Sequence, residues 1–103
     1  MYIVLRDDVP DNMAPTCAAH AALGCYLAYQ DHPDVQEWTA GRFAKVVCRV
    51  SAKTFEKLKK YEGFVLQGES KLGPEVALAF RPRAEWPKAF GFLPLWAPKT
   101  ESA

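Results

Sequence analysis

Long apolar runs are missing from this chain. None approaches the roughly 18 residues that a membrane-crossing helix requires, which excludes a helical membrane protein. The opening "MYIVLRDD" also lacks the cationic segment and extended apolar stretch of a secretory signal. Cysteine is scarce: Cys17, Cys25 and Cys48 are an odd set with no framework spacing, so reduced thiols in a soluble, cytoplasmic protein are expected. An excess of one charge is lacking as well, with 13 basic residues against 12 acidic ones and a formal net charge of +1. That balance argues against a protein held to nucleic acid mainly by bulk charge, and it leaves room for a local basic patch. No internal repeat or low-complexity stretch is present. Cys17, His20 and His32 do not show the paired spacing of a zinc site, so neither a metal nor another cofactor is expected.

What the chain does have is apolar mass. Its 103 residues are 50% hydrophobic and 13% aromatic, enough for one core and too few for two. "YIVLR" (2–6) is an apolar run ended by Asp7, Asp8 and Pro10, the pattern of a strand buried on both faces. From about Met13 to Gln30 an alanine-rich segment predicts a helix, with Asn12 as its N-cap and Pro15 in the first turn. Ala18, Ala21, Ala22, Cys25 and Tyr29 make one small-residue face suited to lying close against a sheet. "DHPDVQEWTAG" reads as a loop with a short helical turn before Gly41. "FAKVVCRV" (43–50) is a second strand, too apolar for an exposed edge. Ser51 then caps a helix that carries Phe55 and Leu58, ends in a lysine cluster and stops at Gly63. Strands at 64–68 and 75–82 follow, joined by "ESKLGP". Beyond about residue 83 the chain is rich in proline and aromatics. A short helix near 83–90 is expected there, followed by an extended apolar segment covering one face of the sheet. The order β-α-β-α-β-β predicts an α/β sandwich, with a four-stranded mixed sheet flanked by helices in a single domain over residues 1–103.

His20 is the first chemical candidate. It shares a helix face with Met13, Cys17, Gly24 and Leu27, near a helix N-terminus at the carboxyl end of a strand, where ligands of open α/β sheets bind. Free N–H groups there favour an anion. The alternative is a boundary histidine with no chemical task. Cys17, in the first turn, is either a thiol activated by the helix dipole or a small apolar packing residue. Its position one turn from His20, side by side, favours packing. Lys53, Lys57, Lys59 and Lys60 form either a solvated face or a local phosphate contact, which Lys71, Arg81 and Arg83 would extend. The aromatic tail either packs on the sheet or presents a partner surface, with Leu95 and Trp96 the residues expected outside. A homodimer through that tail is one possibility it raises.

Several stretches together resemble the type II peptidyl-tRNA hydrolases of archaea and eukaryotes. "YIVLRDDV" is similar to the opening strand of that family, ending at Arg6, Asp8 and Val9. "CAAHAALGCY" resembles the start of its first helix, where a Gln-x-x-His-Ala pattern is usual. "WTAGRFAKVVCRVSAKTFEKL" and "GFVLQGESKLGPEVALAFRP" resemble its later strands in order, so the likeness covers about residues 1 to 82. The resemblance implies a mixed four-stranded sheet with a site at the N-terminus of the first helix. It also implies hydrolysis of the ester between a peptide and tRNA. Asp8 and His20 carry over, with Glu69 and Ser70 standing for an aspartate and a threonine of the family, so these four are the catalytic candidates. Arg6, Cys17 and Lys71 are the candidates for substrate binding, with tRNA or peptidyl-tRNA as the partner. The departures bear on activity. The family's Gly-Lys pair before the first helix is replaced by "PDNMAP", no Lys or Arg occurs between Arg6 and Arg42, and Cys17 stands at the glutamine. Two functions therefore stay open: a divergent ester hydrolase, or a non-catalytic module binding RNA, a small ligand or a protein on the same scaffold.

Overall fold

The structure, a computed structural model, describes residues 1–99, so residues 100–103 of the expected domain lie outside the described residues. In chain order the elements are β1 (Tyr2–Arg6), α1 (Ala14–Tyr29), α2 (Pro33–Ala40), β2 (Val46–Val50), α3 (Ala52–Leu58), β3 (Phe64–Glu69) and β4 (Gly73–Phe80). A 3-10 turn at Lys88–Phe92 follows. The strands form one mixed sheet in the order β2-β1-β4-β3. β1 runs parallel to β2 and antiparallel to β4, and β4 runs antiparallel to β3. This is the α/β architecture that the element order leads one to expect.

β1 and β4 occupy the middle of the sheet and are buried on both faces. Ile3, Leu5, Ala77 and Ala79 join one core with α1, while Val4, Leu78 and Phe80 join the other with α3 and the tail. Period-two alternation sends successive side chains to opposite faces, so a run such as "YIVLR" has no polar position to spare. On the first face α1 contributes Ala14, Cys17, Ala21 and Cys25, all buried and all small. Cys17 thus packs in the sheet-facing stripe, as the packing reading expects, while His20, set on the same helix face by angle, is exposed, because a helix spanning several strands buries a broad arc.

The start of α1 also differs from the expectation. Its N-cap is Met13 in a helical conformation with no side-chain cap, and Asn12 does not cap it. A preceding helical turn makes this possible, since the N–H groups of Met13 and Ala14 both donate to the carbonyl of Pro10, at 2.9 and 3.1 Å. Two of the donors expected to attract an anion are therefore already used, and Pro15 has none.

The segment read as a loop with a short helical turn is helix α2, eight residues long. His32 caps it, its ring Nδ1 accepting the N–H of Asp34 at 3.1 Å. β2 begins at Val46 instead of residue 43, and Phe43 adopts a left-handed φ of 34°. Ser51 caps α3 as expected, its Oγ accepting the N–H of Thr54 at 3.2 Å.

The tail closes the second face. Phe90 is buried against Phe80, Tyr2, Trp86 and Tyr61, with ring centroids 4.9, 5.1, 5.1 and 5.3 Å away. The chain then runs along the outer edge of β2, where Arg49 N–H donates to Pro94 O at 3.1 Å and Trp96 N–H to Val47 O at 2.8 Å. β2 is accordingly an edge strand whose open side is covered, which explains its apolar sequence. Within the tail, Phe92 is 83% exposed. Among the described residues no helix is long and apolar enough to cross a membrane.

The contrast between two neighbouring phenylalanines is testable. Phe90→Ala should lower the unfolding free energy by about 3–5 kcal/mol, while Phe92→Ala should change it by about 0.5 kcal/mol or less, both measured by urea denaturation.

Candidate functional site

At the carboxyl end of β1 the expected catalytic and binding residues do not form one constellation. The Arg6 guanidinium holds the Asp8 carboxylate through two hydrogen bonds, of 3.2 and 2.8 Å, and also donates to Glu75 O at 3.2 Å. Glu69 closes the β3–β4 turn by accepting the N–H groups of Lys71 at 2.6 Å and Leu72 at 3.1 Å, with Ser70 Oγ donating to it at 3.3 Å. Cys17 is buried, and burial together with the nearby negative charge of Glu69 pushes its thiol above the ordinary value. His20 is exposed and makes no hydrogen bond or ion pair among the described residues. Gly24, one turn later on its helix face, lies against Gln67 of β3: an added Cβ would stand 3.3 Å from Oε1. His20 therefore sits on the flank of α1 toward the β3 edge, with Asp8 and Glu69 each committed elsewhere.

The tail adds a second set of commitments near this end. Asp11 pairs with Arg49 and accepts the N–H of Lys99 at 2.6 Å, while Lys99 Nζ donates to Asp7 O at 3.0 Å. Those bonds, that from the Lys99 backbone first, hold the Asp11 carboxyl below its ordinary value. Arg49 also stacks over Trp96, 4.7 Å from the ring centroid. Beside Trp96 lies a small apolar pocket of about 200 Å³ lined by Leu5, Ala14, Pro15, Ala18 and Val47.

Lys59, in the expected lysine cluster, is likewise engaged. It bonds Glu75 and, at 2.9 Å, Glu56; the Glu75 contact raises the lysine and lowers the glutamate relative to their ordinary values. Lys53, Lys57 and Lys60 behave differently, having no carboxylate partner among the described residues. They recur at i, i+4 and i+7, which sets them on the side of α3 and its following turn away from buried Phe55 and Leu58.

A cleft of about 390 Å³ separates that side from the tail, lined by Thr54, Lys57, Lys60, Tyr61, Phe92 and Pro94 among others. Lys60 Nζ lies 5.2 Å from the Tyr61 ring centroid. The arrangement offers uncommitted ammonium groups beside aromatic surface. It can hold phosphates on one side and a planar apolar group on the other. The lysines were visible in the sequence; the pairing with Phe92 was not, because it depends on the tail returning across the sheet.

A further cleft of about 340 Å³, not anticipated from the sequence, lies between α2 and the segment after β4, lined by Glu37, Trp38, Phe43 and Arg83 among others. Several polar groups of its lining are used internally. Trp38 Nε1 donates to Ala44 O at 2.8 Å, Lys45 Nζ to Phe43 O at 2.8 Å, and Arg81 pairs with Asp34 at 3.5 Å. Among the described residues no group of three His, Cys, Asp or Glu side chains is placed to hold a metal ion. Compared with known proteins, the chain matches no family model and no curated sequence.

Two predictions follow from the charges and thiols. Burial pushes Cys25 and Cys48 up to about 11, so with a disulfide reagent at about pH 8, near the usual thiol value, the native protein should react slowly and all thiols only after unfolding. Rapid modification of Cys17 in the native state would return it to the list of reactive groups. Asp11 and Glu75 titrate lower when folded than when unfolded, so their pairs stabilise the fold above the ordinary carboxylate range. That contribution is lost as pH falls through the lowered folded values, so the melting temperature should drop below about pH 4. Asp11→Asn and Glu75→Gln together should flatten that drop.

Proposed function

We propose that this chain is a non-catalytic RNA-binding module on a scaffold like that of the type II peptidyl-tRNA hydrolases. It would bind a single-stranded segment, such as the end of a tRNA, in the cleft between α3 and the 88–92 turn. The observation that carries the reading is the pair of lysines without a carboxylate partner, Lys57 and Lys60, lining one cleft with exposed Phe92, with Lys53 one turn back on the same side of α3. Every other cation singled out for phosphate contact either has a carboxylate partner, as Arg6, Lys59 and Arg81 do, or lies away from this cleft. Ammonium groups would take the backbone phosphates, and a base would stack on Phe92, which is sequence-tolerant because every base has an apolar face.

Absence of hydrolysis is supported by the same accounting. Ester hydrolysis needs an activated water and donors aimed at an oxyanion. Asp8 is held by Arg6, Glu69 by the turn that follows it, and the N–H groups at the start of α1 largely by Pro10. His20 has no partner to orient it among the described residues.

The test uses a single-stranded RNA oligonucleotide, deacylated tRNA and an N-blocked aminoacyl-tRNA. Wild-type protein should bind the first two with a salt slope of about 2, from roughly three phosphate contacts at ~0.7 each on single strands. Lys53→Ala, Lys57→Ala and Lys60→Ala combined should remove most of that slope. Phe92→Ala should weaken binding by roughly tenfold, equivalent to about 1.4 kcal/mol of stacking. No acyl group should be released. Release that is lost in His20→Ala would replace this reading with the hydrolase, and RNA binding unaffected by the lysine variants would end it.

A further inference from the structure

The cleft between α2 and the segment after β4 holds strain and charge that packing alone does not explain. Its volume of about 340 Å³ lies at the lower end of small-ligand pockets and suits a molecule the size of one nucleotide. Phe43, in its wall, keeps a left-handed φ of 34°, a conformation that costs a residue other than glycine free energy. Hydrogen bonds pin the turn, from Phe43 N–H to Trp38 O at 3.1 Å and from Trp38 Nε1 to Ala44 O at 2.8 Å. The Phe43 and Trp38 rings are thereby set 6.0 Å apart at 70°, with Phe43 52% exposed. Lys45 Nζ lies against both rings but outside the lining of the cleft.

Three charged side chains of the lining remain available. Glu37 and Arg42 are exposed, and neither has an ion-pair partner among the described residues. Arg83 is held by carbonyls: Nε donates to Arg81 O at 3.3 Å, and Nη2 to Glu62 O and Gly63 O at 3.0 and 3.3 Å. Its Nη1 is left over, and the guanidinium has no carboxylate partner among the described residues. Burial, and then the neighbouring charge of Arg81, push Arg83 below its ordinary value, so an anion beside it is favoured. Asp34 and Arg81 cancel one another. Two guanidinium groups therefore stand against one free carboxylate.

We infer that this cleft binds a guanine nucleotide, with the base against Phe43, its Watson–Crick edge on Glu37, and the phosphate on Arg42 and Arg83. Guanine alone among the bases sets two donors, N1–H and N2–H, side by side on that edge, and one carboxylate accepts both. Adenine and cytosine place an acceptor beside their donor, and the N3–H of uracil lies between two carbonyls; a carboxylate repels each of these acceptors. An exposed aromatic ring stacks a base, and guanidinium groups match phosphate oxygens. A solvated surface role would account for Glu37 and Arg42. It would leave the strained Phe43 and the half-buried Arg83 without a purpose. The site is separate from the α3 cleft, and its ligand is a free nucleotide or the guanosine end of an RNA.

Isothermal titration calorimetry on the full chain tests this with guanosine monophosphate, adenosine monophosphate and guanosine. The guanine nucleotide should bind roughly tenfold or more tightly than the adenine nucleotide, and more tightly than guanosine, which lacks the phosphate. Glu37→Gln should remove the preference over adenine. Arg42→Gln should weaken the nucleotide and spare guanosine. Phe43→Gly, which frees the backbone and deletes the ring, should weaken all three without lowering the melting temperature. Lys57→Ala with Lys60→Ala should leave guanine binding unchanged, and that background silences the α3 cleft for a comparison of 5′-phosphorylated RNAs beginning with G or with A. Tighter binding of the G-initiated RNA than of the free nucleotide identifies an RNA end as the ligand, and weaker binding identifies the free nucleotide. Equal affinity for guanine and adenine, no binding of either guanine ligand, or binding indifferent to both Glu37→Gln and Arg42→Gln would each overturn the inference. Loss of guanine binding in the lysine variant would overturn it in favour of the α3 cleft.

Discussion

Burial of β1 and β4 on both faces is the constraint from which the rest of this structure follows. Ile3 and Leu5 face one core and Val4 the other, and β4 repeats the division through Ala77, Ala79, Leu78 and Phe80. A sheet whose central strands have no polar face exposes apolar area at about 25 cal/mol per Å² unless both sides are covered. One long helix is available for the first side. It fits because its inward stripe is alanine and cysteine, which lets the helix backbone lie near the strands. The second side has only the short α3, with Phe55 and Leu58, so the tail must return to complete the layer. Phe90 sits among four other rings for that reason.

The same return shapes the chemistry. By running along β2 toward the β1–α1 loop, the tail takes Asp11 and the carbonyl of Asp7 and engages Arg49, groups that stand near the end of the sheet where a ligand would be sought. Nearby, Arg6 and Asp8 neutralise one another, as do Lys59 and Glu75. This end of the molecule is therefore balanced in charge and largely hydrogen-bonded, the buried Arg49 Nε being without a partner. Lys53, Lys57 and Lys60, which have no carboxylate partner among the described residues, lie on the opposite layer, where the solvent side of α3 faces the turn that carries Phe92. A near-zero net charge and a local basic cleft are compatible because acidic residues such as Asp8, Asp11, Asp34 and Glu75 are placed, and paired, away from that cleft.

Much of the scaffold was legible because its signals are local. "YIVLR" gives β1 with the same ends in sequence and structure, and Ser51 caps α3 through its own hydroxyl. Other features misled for identifiable reasons. His32 and Pro33 start α2, but a histidine ring is a rare cap and the helix has only eight residues, so its periodicity is weak. Asn12 has the right chemistry for a cap, yet the backbone is already helical from Pro10 and offers it no orphan N–H to accept. Cys17 packs in the core, as its small apolar character favoured, although the helical angle set it on the same face as exposed His20, because α1 buries a broad arc.

Composition and periodicity by themselves determined the class of fold, the order of its elements and the presence of His20, Asp8 and the lysine cluster. Each depends only on residues near one another in the chain. Tertiary structure alone decided which of those side chains remain available. Asp8 and Glu69 are consumed by nearby partners, Asp11 by Arg49 and Lys99 brought from 38 and 88 residues away, and Phe92 is delivered to the lysines by the fold of the tail. Availability depends on what lies within a few ångströms in space, and for a sheet closed by its own C-terminal segment that is settled only when the last part of the chain packs.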